Sequence, residues 1–357
     1  MSGDIFYYFQ LLCLLLGILI ACQVFTNAIE NLGDKLNLNH EFTGSILAAV
    51  GTALPETILP LVAIYMASQS SGAEQNDIAI GAIVGAPFML STLAMLLLGL
   101  SIVLHQKKRQ SKFGDKDSKQ LQVNHNHLKR DLLYFLIIFS IGISSSLFLG
   151  ILDGSFDYMF KILAVIAILF TYVIYLMQTY KASAEEIGDE EDDTPELYLK
   201  RFLGIENLSL PLISVQALLG LIGIIYFAHD FVHAVEHLAH SFNISPLILS
   251  LVISPIVTEL PEKVNTWIWS SEGKDTLAIG NLSGAMVFQA AIPCIVGIML
   301  TPWQLDKVVL VSVTLTIFAT FIILGALNIN KKVDYRTLML AGSLYFVYLY
   351  LVLFNFA

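Results

Sequence analysis

Long stretches of this chain carry almost no charge over the length that crosses a bilayer, and that feature sets the folds open to it. A hydrocarbon core about 30 Å thick takes about 20 predominantly apolar residues per helix. Ten such spans can be read, at 5–26, 43–66, 78–104, 132–151, 158–180, 208–232, 244–269, 276–300, 306–328 and 334–356. Composition agrees: 56% of residues are hydrophobic and 13% charged, against about 25% charged in soluble globular proteins. A cytosolic enzyme is excluded, and the lipid bilayer is the first partner. The net charge of -10 argues against nucleic acid. Cys13, Cys22 and Cys294 all lie in apolar runs without framework spacing and read as packing residues. The first span, preceded by Asp4 and by no Lys or Arg, reads as a retained anchor and not as a cleaved signal peptide.

Lys and Arg in short loops mark the cytoplasmic side. With the N-terminus outside, the inner loops collect Lys35, then Lys107, Lys108, Arg109, Lys112, Lys116, Lys119, Lys129 and Arg130, then Lys181, Lys200, Arg201, Lys274, Lys331, Lys332 and Arg336. Lys161 and Lys307 stay outside and Lys263 falls within a span. Both termini are therefore expected outside, in the plasma (inner) membrane. Two inner loops differ in composition. Residues 105–131 are basic, whereas the linker 181–207 carries Glu185, Glu186, Asp189, Glu190, Glu191, Asp192, Asp193 and Glu196. Like-charge blocks of this kind read as disordered linkers, with a regulatory cation or docking site as the alternative.

The acidic linker separates five spans from five: 1–180 and 208–357. Residues 27–56 align without a gap on 233–262 at an offset of 206. Ala28, Glu30, Leu32 and Asn37 match Ala234, Glu236, Leu238 and Asn243; Thr52, Leu54, Pro55 and Glu56 match Thr258, Leu260, Pro261 and Glu262. The following spans share Gly81/Gly280 and Gly85/Gly284. An odd number of spans per repeat reverses the direction of corresponding helices. Inverted repeats of this kind are a plan of secondary transporters, with binding at the midplane where interrupted helices meet. The expected fold is an all-α membrane protein of ten transmembrane helices in two inverted five-helix repeats, spans 2, 3, 7 and 8 central and spans 1 and 6 outermost.

Glu56 and Glu262 lie deep in spans 2 and 7, where an ionisable side chain is costly and functional by default. Pro55 and Pro261 precede them. Each proline lacks an N–H and frees the carbonyl four residues earlier, at Gly51 and Val257. Carbonyls, the hydroxyls of Thr52 and Thr258, and two carboxylates make an oxygen cage suited to Ca²⁺. The G-x-x-x-G pairs at Gly81–Gly85 and Gly280–Gly284 allow close helix approach.

These segments resemble the sodium/calcium exchangers of the cation/calcium antiporter superfamily, whose two repeats carry G-T-S-x-P-E on one helix and G-N-x-x-G-S-N on the next. The resemblance implies a divergent, prokaryotic-type member with outward termini. It also implies exchange of Ca²⁺ or a related cation for Na⁺ or H⁺, with Glu56 and Glu262 as central ligands and Thr52 and Thr258 adding oxygens. The chain departs from the family pattern at Ala53, Val257, Glu259, Ala86, Pro87, Leu90, Ala285 and Met286, keeps Asn281, and has Gln289 at a later ligand position. Several sodium ligands are thereby missing, so the counter-ion stays open between Na⁺ and H⁺.

Glu259 adds a third carboxylate three residues before Glu262 and four before Lys263. It reads either as the partner of Lys263 in an i, i+4 ion pair or as a participant in cation or proton binding. His229, His233, Glu236, His237 and His240 share one helical face. They read as a polar helix end, or as a transition-metal or pH-sensing site. No nucleotide motif appears, so neither enzymatic activity nor a cofactor is expected and ion gradients are the energy source. A cation channel and a non-transporting scaffold or receptor are the alternatives to an antiporter.

Overall fold

The computed structural model describes residues 2–36, 54–69, 72–148, 155–185, 196–205 and 208–355. Its elements are helical: α1 (Ser2–Lys35), α2 (Leu54–Gln69), α3 (Ala73–Met89), α4 (Met95–Leu104), α5 (Gln106–Asp117), α6 (His125–Phe148), α7 (Ser155–Glu185), α8 (Tyr198–Leu203), α9 (Leu210–Phe242), α10 (Pro246–Thr258), α11 (Leu260–Glu272), α12 (Asp275–Leu300), α13 (Lys307–Asn330) and α14 (Tyr335–Asn355). A π-helical turn, Leu90–Ala94, joins α3 to α4. It follows Pro87, which has no N–H for the regular ladder. There, Ser91 Oγ and Thr92 Oγ1 both donate to the Phe88 carbonyl.

Among the described residues, eight helices are long and apolar enough to cross a membrane, α3 and α4 counting as one. The two expected spans outside this set are those carrying T-x-L-P-E. The span read at 244–269 is broken at Glu259, whose backbone sits at φ -95, ψ 14, between α10 and α11. The span read at 43–66 is described only from Leu54 onward.

Burial separates centre from periphery. Twelve consecutive residues of α3, Ile78 through Met89, are buried, as befits a helix apolar on every side and surrounded by protein. It packs against α10, α2, α12 and α13. The apolar windows of the α3–α4 span and of α12 are each 67% buried, against 33% for α1, 22% for α9 and 17% for α7. Thus α7, not only the first and sixth spans, lies at the rim, showing Leu163, Ile166, Leu169 and Phe170 to the surroundings as lipid-facing side chains do. α1 and α9 pack along each other, where Gly220 admits the backbone of Phe25 and Gly17 admits the ring of Phe227. Cys22 and Cys294 are packing residues as expected, but Cys13 is exposed on α1.

The basic loop at 105–131 departs from its sequence reading. It is not a disordered linker: 106–117 forms α5, and Arg109 is buried. Arg109 makes a two-pronged ion pair with Asp275 at 2.6 and 2.7 Å, and donates to the carbonyls of Ser270, Ser118 and Gln120. Asp275 also accepts from the Gln122 amide at 2.8 Å. Composition could not show this, because one arginine among many lysines finds its acid 166 residues away. The acidic linker is likewise shorter than 181–207. α7 runs to Glu185, and the segment from Glu196 to Leu203 docks on α1 and α9 through Asn27 and Gln216. Residues 186–195 lie outside the described set.

Candidate cation site at the helix break

The break between α10 and α11 exposes two kinds of backbone ends to each other. The C-terminus of α10 presents carbonyls that no following turn satisfies, and the first turn of α11 presents amides, with the dipole favouring anions there. Pro261, in that first turn, has no amide to lose, and it deprives the Val257 carbonyl of its usual donor. Glu262 sits in the same turn and is 1% exposed.

Glu56 on α2 is also buried, and Glu259 at the break is completely so. The three carboxylates and Lys263 lie within electrostatic reach of one another, and Gln289 on α12, buried, stands beside Glu259. Neither oxygen of the Glu56 carboxylate accepts a hydrogen bond from another described residue. An ionised carboxylate so placed in a low-dielectric interior needs a positive charge beside it. Thr258, buried, donates its hydroxyl to the Ser254 carbonyl at 3.2 Å, which leaves the oxygen's lone pairs available. The structure thus brings together Glu56, Glu262, Glu259 and Gln289, with Thr258 next to Glu259 in the chain. Gly51 and Thr52 lie outside the described residues.

The expected ion pair between Glu259 and Lys263 is not formed. Lys263 Nζ instead donates to the carbonyls of Pro255 at 2.8 Å and Ile256 at 3.3 Å, with Met89 Sδ at 3.0 Å. The i, i+4 rule presumes a continuous helix. Here Glu259 is the residue at which the helix breaks, and the carbonyls of the last turn of α10 compete for the ammonium, that of Pro255 while also accepting the Glu259 amide at 3.3 Å.

Asn281 was legible only as a retained motif residue, and it proves to hold the frame. Its amide donates to the Glu262 carbonyl at 3.1 Å and to Thr266 Oγ1 at 3.3 Å, while Thr266 donates to the Ala278 carbonyl at 3.2 Å. α11 and α12 are so fastened beside Glu262. On the opposite flank Ser250 donates to the Ile78 carbonyl at 2.7 Å and ties α10 to α3. A further buried acid, Asp131 on α6, accepts from Ser283 of α12 at 2.8 Å and from Arg130. It lay hidden because it sits at the charged start of a span.

The histidine face does not converge on a centre. His229 pairs with Asp230, His233 with Glu236, and His240 with Glu74 at 3.0 Å, all largely exposed. Glu236 also accepts from Gln75. Among the described residues no group of three or more His, Cys, Asp or Glu is placed to hold a metal ion. The transition-metal reading of this face is therefore unsupported, because the side chains pair locally along and across the helix.

A polytopic helical membrane protein that gathers three carboxylates, an amide and a lysine at an interrupted helix in its interior is the class these observations define. The chain belongs to the sodium/calcium exchanger protein family, whose profile matches residues 6–181 and 213–355. It is 27% identical over 269 residues to the inner membrane protein YrbG of Escherichia coli K12, covering 74% of this chain and 70% of that protein. To an uncharacterized membrane protein of Methanocaldococcus jannaschii it is 23% identical over 301 residues, covering 83% and 84%. Among solved structures it is similar in fold to the H⁺/Ca²⁺ exchanger CAX, with a TM-score of 0.72 at 16% identity, covering 98% of this chain and 82% of that one. It is also similar to the sodium-calcium exchanger NCX_Mj, with a TM-score of 0.56 at 20% identity, covering 96% and 97%.

Proposed function

We propose that the protein is a secondary antiporter that moves Ca²⁺ or a related divalent cation against Na⁺ or H⁺ by alternating access. The observation that carries this reading is the burial of Glu56 and Glu262 in one interior site, on helices that follow the same T-x-L-P-E pattern, with no donor to Glu56 among the described residues. The family, and the similarity in fold to an H⁺/Ca²⁺ exchanger and a sodium-calcium exchanger, support the same substrate class. The oxygens assigned to the cation are the Glu56 and Glu262 carboxylates, with Thr52, Thr258, Gln289 and the Gly51 and Val257 carbonyls around them. Glu259 contributes a further carboxylate.

In this reading the broken α10–α11 unit and the segment ending in α2 complete ten spans, arranged as two inverted five-helix repeats with both termini outside the plasma membrane. Transported ions are the protein's substrates, and it needs no cofactor. H⁺ is favoured as one counter-ion, because Glu259 is fully buried without an ion pair to Lys263, while Ala86, Leu90 and Ala285 offer no side-chain oxygen.

Ion flux in proteoliposomes with imposed Na⁺, H⁺ and Ca²⁺ gradients tests the proposal. Ca²⁺ uptake driven by an opposing Na⁺ or H⁺ gradient is expected. Channel-rate flux independent of a counter-gradient would replace the antiporter with a cation channel, and no flux at all would leave a scaffold or receptor. Uptake driven by a pH gradient in sodium-free medium, lost in Glu259→Gln, would mark H⁺ as the counter-ion; strict Na⁺ dependence unchanged by that substitution would rule it out.

A further inference from the structure

We infer that Lys263 is a tethered cation: its ammonium occupies a carbonyl-lined position at the α10–α11 break that a mobile monovalent ion would otherwise fill. The inference rests on the antiporter reading and deepens it, since it concerns how many counter-ions this site takes.

Three observations carry it. First, two of the three partners of Nζ are oxygens of the kind that take a small cation, the carbonyls of Pro255 and Ile256 at the negative end of α10, and the third is the Met89 thioether. An ammonium has three N–H donors and finds three acceptors here, and carbonyls are also the oxygens that strip a hard cation of its water. Second, the side chain is buried and Glu56, Glu259 and Glu262 all lie within electrostatic reach, so the positive charge is placed where an exchanged ion would be attracted. Third, the charge is confined to one half of the repeat. At the offset of 206 the counterparts of Glu259 and Lys263 are Ala53 and Thr57, so this half alone carries both an added acid and an added base.

The arithmetic of charge gives the pair its meaning. Two repeat-related glutamates alone would balance one divalent cation. Glu259 adds a negative charge and Lys263 cancels it, so the occupied site remains neutral with Ca²⁺. Yet the two charges do not pair with each other. Lys263 turns toward the carbonyls, and Glu259 remains toward Gln289. A carbonyl position is thereby filled permanently while a carboxylate is left able to exchange its own cation.

Counting bound sodium on the purified full-length protein in detergent, by equilibrium dialysis with radiolabelled Na⁺ in Ca²⁺-free buffer, tests this. Lys263→Ala is expected to bind one more Na⁺ per chain than the native protein, while Lys263→Arg, which keeps the charge, binds no more than native. Equal sodium in the native and alanine forms, or extra sodium in the arginine form, would overturn the inference. Should the alanine form not fold, Lys263→Ser, which vacates the same space and removes only the charge, is counted in its place and is expected to gain the same one Na⁺; a folded serine form with no sodium gained would overturn the inference. Binding of radiolabelled Ca²⁺ to the native chain is measured alongside. Its absence would break the antiporter reading, whereas the sodium count reports on Lys263 alone.

Discussion

The two G-x-x-x-G helices look equivalent in sequence and behave differently in the fold. A Cβ on Gly81 would meet the Leu247 carbonyl at 2.5 Å, and one on Gly85 would meet the Leu251 carbonyl at 2.4 Å and Pro255 at 2.9 Å. α3 therefore lies directly on the backbone of α10, and Ser250 of α10 closes the contact by donating to the Ile78 carbonyl of α3 at 2.7 Å. Around Gly280 no described atom lies within 4 Å of such a Cβ, and around Gly284 only the Tyr175 hydroxyl comes to 4.0 Å. The residues at the offset of 206 from Leu247–Leu251, 41–45, lie outside the described residues. A shared motif marks a shared frame, and the chemistry is added unequally: the second half alone holds Glu259 and Lys263.

The comparison is tested first where the halves should agree. Glu56→Gln and Glu262→Gln are each expected to abolish Ca²⁺-dependent exchange in proteoliposomes, a loss beyond the roughly 10–100-fold that outer supporting groups cost. Circular dichroism should show both variants folded. If one of the two retained full exchange, the halves would not share the cation and the cage would be centred on the other carboxylate.

Next in size is the clasp between the halves. Arg109→Ala leaves Asp275 buried and unpaired, and breaking a buried pair in this way costs about 3–5 kcal/mol. Thermal unfolding in detergent should show it. An unchanged midpoint would mean that the inner loop is not anchored through Arg109.

The glycines give the sharpest contrast. Gly85→Ala forces a methyl against the Leu251 carbonyl and is expected to destabilise by about 1–3 kcal/mol. Gly284→Ala has room within the described structure and should change stability by less than about 0.5 kcal/mol. Equal losses would show that Gly284 is packed as tightly as Gly85.

A loss of stability at the low end of that expected for Gly85→Ala is expected at Asn281. Asn281→Ala removes the bonds to the Glu262 carbonyl and Thr266, a net loss of about 1 kcal/mol, and should weaken Ca²⁺ binding by about tenfold as a supporting group of the cage. Isothermal titration would measure it. Loss of stability without loss of affinity would assign Asn281 to helix packing alone.

The sequence by itself determined the membrane class, the placement of most spans, the 206-residue repeat and the depth of Glu56 and Glu262. These are properties of local composition: some twenty neighbouring side chains decide whether a helix prefers lipid, and a carboxylate among them is buried wherever the helices go. Tertiary structure alone decided that Lys263 turns from Glu259 to the Pro255 and Ile256 carbonyls, that Arg109 draws a basic loop into a buried clasp, and that the histidines of α9 pair singly instead of converging. Each of these choices is a competition between partners at about 3 Å. Arg109 meets Asp275 across 166 residues, and Lys263 meets Met89 across 174, so no reading of one segment contains the outcome. Hydrophobic burial sums over area and is legible along the chain, whereas a hydrogen bond depends on direction and distance between segments that only folding brings together.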